Sequence, residues 1–272
     1  MARFVAFLAL LAALAMTAAW YSLHRGIPPR AVAQQPKPPA TRDLKDLYNQ
    51  NPREAQKATA RVAQLGTQAI PAIRSVLTSS ETTTEDRKAA LKAAVVLGPK
   101  ASPLVPEVAK WLDNPDLTEE AAVALSFMGR DAFPPLRDAL ASTDPAVRRE
   151  ALRSIGKLRF RAPLEGSIVV ALLDRGMTDV DPGVRTVAAT YLGILHEDPA
   201  VSVPTLTTAL SDADLTVRRA AASALGSFGQ DARTAVPALR KAAADADDDL
   251  AREAGRAIVR IAGSPADTRT GR

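Results

Sequence analysis

Side chains able to do chemistry are sparse in this chain, and those that recur do so with a structural period. There is no cysteine, which removes thiol nucleophiles, thiolate zinc sites, disulfides and lipid attachment at a cysteine. The two histidines, His24 and His196, have no partner at metal-ligand spacing, and no Gly-rich phosphate loop or Gly-x-Ser-x-Gly elbow occurs. Two acidic runs, Glu119-Glu120 and Asp247-Asp248-Asp249, place carboxylates side by side as acid–base chemistry requires. Both stand where a helix is predicted to start, and negative charge there complements the helix dipole. Asp and Arg also recur together, as Asp144/Arg148, Asp181/Arg185, Asp214/Arg218 and Asp248/Arg252. A pair repeated at the period of the architecture reads as a ladder joining neighbouring units. The expectation is therefore no catalytic residue, no cofactor, no metal and no enzymatic activity.

Charge narrows the partners. The sequence pI is about 9.7 and the net charge +5. Residues 1–42 hold Arg3, Arg25, Arg30, Lys37 and Arg42 and no acid, which leaves 30 Lys/Arg against 30 Asp/Glu from Asp43 onward. A protein that holds nucleic acid by neutralising phosphates needs a net positive face on its folded part, so no nucleic acid is expected.

Positioning is encoded by an internal repeat. Residues 55, 87, 118, 148, 185, 218 and 252 open the same pattern at intervals of 32, 31, 30, 37, 33 and 34. Three residues on stands a small residue (Ala58, Ala90, Ala121, Ala151, Ala188, Ala221, Gly255). Seven on stands Val62, Ala94, Leu125, Ile155, Leu192, Leu225 or Val259, and ten on Leu65, Leu97, Met128, Leu158, Leu195, Phe228 or Ala262. Offsets of 3, 7 and 10 lie on one stripe of an α-helix. Asp144, Asp181, Asp214 and Asp248 supply N-cap acceptors four residues before the Arg. Gly66, Gly98, Gly129, Gly229 and Gly263 stand where a left-handed C-cap is expected, and His196 takes that place in its unit, hence a turn residue.

A second helix opens on Pro71, Pro106, Pro134, Pro204 and Pro237, and the residue six on is Leu77, Leu112, Leu140, Leu210 and Ala243. A helix pair this small cannot bury both faces alone, so neighbours must stack. The first three units depart from the pattern, with Ala55, Arg87 and Thr118 at the Arg position. Leu44, Leu47 and Tyr48 are expected to form a lone capping helix.

The run Asp144-Pro145-Ala146-Val147-Arg148-Arg149-Glu150-Ala151, its counterpart Asp181-Pro182-Gly183-Val184-Arg185, the Ala224-Leu225-Gly226 end and the Val-Pro-x-Leu second helix together resemble HEAT repeats. More narrowly they are similar to the short HEAT-like units of phycobilisome lyases. The similarity covers about residues 43–263. It implies an all-α fold, an α-solenoid forming a right-handed superhelix of about six to seven helix pairs. It also implies a protein-binding scaffold, with two alternatives: a bilin lyase or isomerase, or a structural subunit of an envelope assembly.

Residues 1–23 read as an export segment, because Phe4 to Leu23 is a run of twenty uncharged residues behind Arg3. That length suits a membrane-spanning helix, and Trp20 and Tyr21 fit an aromatic belt at its far end. Thr17-Ala18-Ala19 and Ala31-Val32-Ala33 have the small-x-small form of a cleavage site and keep a cleaved signal peptide open. Either way the body is expected outside the cytoplasm, in the periplasm or envelope. The Pro-rich residues 24–42 read as a linker and 264–272 as a frayed tail.

The partner is expected to be another protein or peptide, bound by a single copy of the chain. In HEAT-like stacks the second helices line the concave side. Opposite their predicted core positions lie Ser75, Lys110, Asp138, Thr208 and Lys241, flanked by Arg74, Trp111, Arg137 and Arg240. A second candidate is the stretch where the period lengthens to 37, with Lys157, Arg159, Phe160 and Arg161 around the missing capping glycine.

Overall fold

The computed structural model describes Leu44, Asp46–Tyr48 and residues 50–263. The expected leader (1–23), linker (24–42) and tail (264–272) lie outside the described residues. Within them, thirteen α-helices and no strand are found. They form six pairs and a last single helix: α1 (Pro52–Leu65) with α2 (Ile70–Thr78), α3 (Thr84–Leu97) with α4 (Val105–Ala109), and α5 (Thr118–Phe127) with α6 (Phe133–Ala139). Then follow α7 (Pro145–Arg159) with α8 (Gly166–Gly176), α9 (Pro182–Leu195) with α10 (Pro199–Ala209), α11 (Leu215–Ser227) with α12 (Val236–Ala242), and α13 (Asp248–Ala262).

Starts and stops follow local chemistry. Asp144, Asp181 and Asp214 each accept a backbone N–H of the first turn, at 2.8 Å from Ala146, 3.0 Å from Val184 and 2.8 Å from Thr216. Thr83 and Asp86 form a reciprocal capping box on α3. The capping glycines all have positive φ, but Gly66 and Gly98 combine it with ψ near −130°, outside the left-handed helical basin and open only to glycine. His196, at φ 51° and ψ 30°, does adopt the left-handed helical conformation and so is the turn residue expected of it.

The stripes meet as the periodicity requires. From the first unit to the sixth, every residue at offsets 3, 7 and 10 is buried. Odd helices pack on odd neighbours from α1 through α13, and each even helix packs against the odd helix that follows it. One contiguous apolar core results, and each fully buried Leu or Ile in it contributes about 1.5–3 kcal/mol. Close approach is set by small residues: a Cβ on Gly193 of α9 would lie 2.6 Å from Ala224 of α11, and one on Gly226 would lie 3.0 Å from Ala257 of α13.

Two expectations are corrected. The last unit is displaced by one residue, because Asp247 and not Asp248 caps α13, accepting the Leu250 N–H at 2.7 Å. Ala254, Ala257 and Ile261 are consequently buried, whereas Val259 is 64% exposed and Gly255 and Ala262 face outward. At the other end Leu44 and Leu47 are buried as a cap should be, but Asp46–Tyr48 is a 3-10 turn. It packs on α1 and α3, and Lys92 donates to the Leu47 carbonyl.

Candidate binding surface

Two of the recurring Arg residues, Arg148 and Arg185, each donate four hydrogen bonds. Arg148 donates through Nε and Nη2 to both carboxylate oxygens of Asp179, at 2.8 and 2.7 Å, and through Nη1 to the Ser142 and Thr143 carbonyls. Arg185 repeats this one unit on, with Asp212 at 2.8 Å and the Asp179 and Val180 carbonyls. Each guanidinium thus ties its own helix start to the next unit. The guanidinium hydrogen bonds hold Asp179 and Asp212 below the ordinary carboxylate range against an opposing cost of burial. The ladder is real, but its acid was misassigned: Asp144, Asp181 and Asp214 are caps, and the bridging acid stands two residues before the cap. Asp179-x-Asp181 and Asp212-x-Asp214 show that spacing in the sequence.

At both ends of the array the rung changes. Arg87 lies over the Trp111 ring at 4.7 Å and donates to the Ser79 carbonyl at 3.0 Å. Arg218 keeps its carbonyl contacts to Asp212 and Ala213, and Arg219 takes over the bridge, with Asp247 at 2.7 Å. Arg252, expected to share a ladder rung with Asp248, instead pairs with Asp249 within its own helix turn.

The second-helix row is laid out as predicted in orientation. Ile73, Val108, Leu136, Leu206 and Leu239 are fully buried, while Ser75, Lys110, Asp138, Thr208 and Lys241 are exposed. α8 belongs to this row too, although it opens on Gly166 without a proline and so escaped the sequence pattern. Of the flanking residues, Arg137 and Arg240 are exposed, Arg137 pairing with its neighbour Asp138 at 2.9 Å. Arg74 bridges to Glu107 at 2.7 Å and to the Pro103 carbonyl and so joins neighbouring units, whereas Trp111 is half-buried under Arg87 of its own unit. Between the ends of α6 and α8 the row opens into a cleft of about 490 Å³, lined by Leu140, Leu152, Leu172, Arg175 and the Arg148–Asp179 rung.

The stretch of irregular period lies apart from that row. α7 runs on to Arg159, and Phe160 ends it in a right-handed conformation where a glycine would otherwise turn the chain. Phe160 is 64% exposed. Arg161 lies over the Phe127 ring at 4.0 Å, and Arg159 pairs with Glu197 at 2.9 Å. Next to it the Tyr191 ring rests on Gly156, where a Cβ would come within 2.2 Å of Cδ1. Burial raises the Tyr191 pKa, while the nearby Arg153 and Arg161 charges act to lower it. The ten candidate residues therefore form no single site: Arg74, Lys110, Trp111, Arg137, Arg240 and Lys241 follow the second helices, and Lys157, Arg159, Phe160 and Arg161 cluster at the end of α7. Phe127, Arg153 and Tyr191, which complete that cluster, were missed; they lie nine, five and six residues after their unit starts, outside the core stripe.

Among the described residues no group of three or more His, Cys, Asp or Glu is placed to hold a metal ion, and no helix is long and apolar enough to cross a membrane.

Comparison with known proteins agrees with the fold. Residues 169–259 match the family described as HEAT repeats. No curated protein matches the chain. Among solved structures, it is similar to a chain of the Kap95p complex with RanGDP, at 15% identity and a TM-score of 0.53 over 81% of this chain and 35% of that one. It is also similar to the complex of CpcE and CpcF of phycocyanin lyase from Nostoc, at 21% identity and a TM-score of 0.49 over 58% and 99%. A designed armadillo repeat protein in complex with the peptide (KR)4 matches at 18% identity and a TM-score of 0.43 over 81% and 98%. At such identities likeness speaks to fold alone, and only the first is close enough in shape to do so. Residues 169–259 are thus similar to HEAT repeats, and the helix pairs before them continue the same helix-on-helix stacking.

Proposed function

We propose that this chain is a non-enzymatic scaffold of the cell envelope that binds another protein. One observation carries the reading: five of the six second helices bury Ile73, Val108, Leu136, Leu206 and Leu239 fully and leave a row of varied polar residues exposed two positions on, Ser75, Lys110, Asp138, Thr208 and Lys241. A row held at fixed spacing by a continuous core recognises an extended partner through many small contacts, with little ordering cost on its own side. The Asp and Arg side chains best suited to chemistry are engaged in the ladder, which supports recognition over catalysis. The envelope assignment rests on the uncharged run Phe4 to Leu23 behind Arg3.

A photo-cross-linking residue placed in turn at Ser75, Lys110, Asp138, Thr208 and Lys241, in cells that make the full chain, tests both parts. The expected result is one polypeptide captured from several adjacent positions, recovered with the envelope fraction. Capture of unrelated polypeptides at each position would refute the binding row, and recovery of the body with cytosolic markers would refute the location.

A further inference from the structure

Charge is segregated within a body that is neutral overall. Residues 145–161, α7 and its exit, hold Arg148, Arg149, Arg153, Lys157, Arg159 and Arg161 against the single acid Glu150. Three of these cations are neutralised by the fold: Arg148 by Asp179, Arg159 by Glu197, and Arg153 by Glu150 at 2.9 Å. Arg149 shares Glu150 at a looser 3.5 Å. Lys157 and Arg161 have no carboxylate partner among the described residues.

Arg161 is set among aromatic rings, and Lys157 stands one helical turn before it, its carbonyl accepting from Arg161. Only eleven residues of the chain are Phe, Tyr or Trp, yet Phe127, Phe160 and Tyr191 converge here from α5, the end of α7 and α9. Arg161 covers Phe127 at 4.0 Å, and the Tyr191 ring rests against Gly156, near enough to Arg153 and Arg161 to feel both charges. The surface is thus a preformed alternation of ring and cation, spread across three adjacent helices that pack roughly 8–10 Å apart. Side chains already stacked lose little freedom on binding, and Arg with aromatic anchors is the composition that dominates interface energies.

We propose that this face binds an acidic segment of a partner protein that carries an apolar anchor, its carboxylates meeting Lys157 and Arg161 and its apolar side chain packing on Phe160 and Tyr191. The proposal deepens the scaffold reading and rests on it. An anionic bilayer shares the charge but not the shape. Phe127 and Tyr191 are half-buried and Phe160 alone protrudes, whereas membrane-surface docking buries a broad apolar face.

The test uses the purified full chain in detergent and three fluorescein-labelled twelve-residue peptides: one mixing Glu with Leu, one with Ser replacing Leu, and one with Lys replacing Glu. Binding of the Glu/Leu peptide, read by anisotropy, should exceed that of either control by about tenfold or more and should weaken as salt rises. Lys157→Glu and Arg161→Glu should each reduce it about tenfold, and Phe160→Ser about threefold to tenfold. Lys57→Glu, at an exposed position on α1 outside both surfaces, should leave it unchanged. Phe160 and Lys157 bear no packing role, so their variants remain informative should Arg161→Glu unfold the protein; thermal unfolding of each variant checks this. Equal binding of the Glu/Ser peptide, indifference to the patch variants, or patch-dependent binding to phosphatidylglycerol vesicles with none to the peptide would each overturn the proposal. Photo-cross-links from the second-helix row would survive any of these results, so failure here is separable from failure of the scaffold reading.

Discussion

Three hydrogen bonds converge on the Asp179 carboxylate, which is why a single substitution there is informative. Arg148 of the preceding unit grips both oxygens, and the Asp181 backbone N–H donates to one of them at 2.9 Å. Both partners of the ion pair are largely screened from water, at 13% and 15% side-chain exposure. Asp179→Asn keeps the shape and the turn but removes the charge, and should cost about 2 kcal/mol in urea unfolding at neutral pH. Its pH dependence follows from the direction of the shift. The folded-state pKa of Asp179 lies below its unfolded value, so the rung's contribution is complete above about pH 5 and is lost as pH falls below about 3.9 toward the lowered folded value. Asp212 adds a loss of the same sign in the same window. Asp179→Asn should therefore flatten the fall in stability between about pH 5 and 2; an unchanged slope would show that the rung does not couple to folding. The Arg half of this ladder was legible from its repetition. Its acid was not, because the cap Asp four residues before the Arg is the nearer and more regular match, and only three-dimensional stacking brings Asp179 beside Arg148.

At the scale of the helix, glycines separate two roles that sequence alone confounds. Gly193 and Gly255 both sit inside first helices, yet a Cβ on Gly193 meets the Cα and Cβ of Ala224 at 2.6 Å, while one on Gly255 meets nothing within 4 Å. Gly193→Ala must push α9 from α11 and should cost about 1–3 kcal/mol. Gly255→Ala only removes the entropy penalty of glycine in a helix and should stabilise by about 0.5–1 kcal/mol. Thermal unfolding of the two variants should shift in opposite directions, and a shared direction would mean that the packing of α9 on α11 is looser than described. The same ambiguity explains the displaced last unit. Small or apolar residues stand side by side at Ala254-Gly255, Ile258-Val259 and Ile261-Ala262, so two registers one residue apart each offer an apolar stripe, and the Asp run at 247–249 offers a cap to either. Tertiary packing decides, by burying Ile261 and exposing Val259. α8 was missed for a related reason: without an opening proline, only its burial of Val169, Val170 and Leu173 marks it as the fourth second helix.

Whole-molecule behaviour follows from each unit touching only its neighbours. Stability is then close to a sum of unit and interface terms, and a defect is felt locally before it is felt globally. Ile155 of α7 is fully buried at the middle of the stack, between α5 and α9. Ile155→Ala removes three carbons and leaves a cavity, at a cost of about 2–5 kcal/mol. In a globule with a single shared core that loss would raise amide exchange everywhere by the same factor. Here it should raise exchange most in α7 and in the neighbours α5 and α9, with progressively smaller change toward α1 and α13. The C-terminal half, joined by the glycine-mediated contacts of Gly193 and Gly226, should remain protected longest. Hydrogen exchange resolved by peptide measures the gradient directly. A uniform rise from α1 to α13 would mean that the helix pairs fold as one indivisible body, and the nearest-neighbour account of the stack would have to be abandoned.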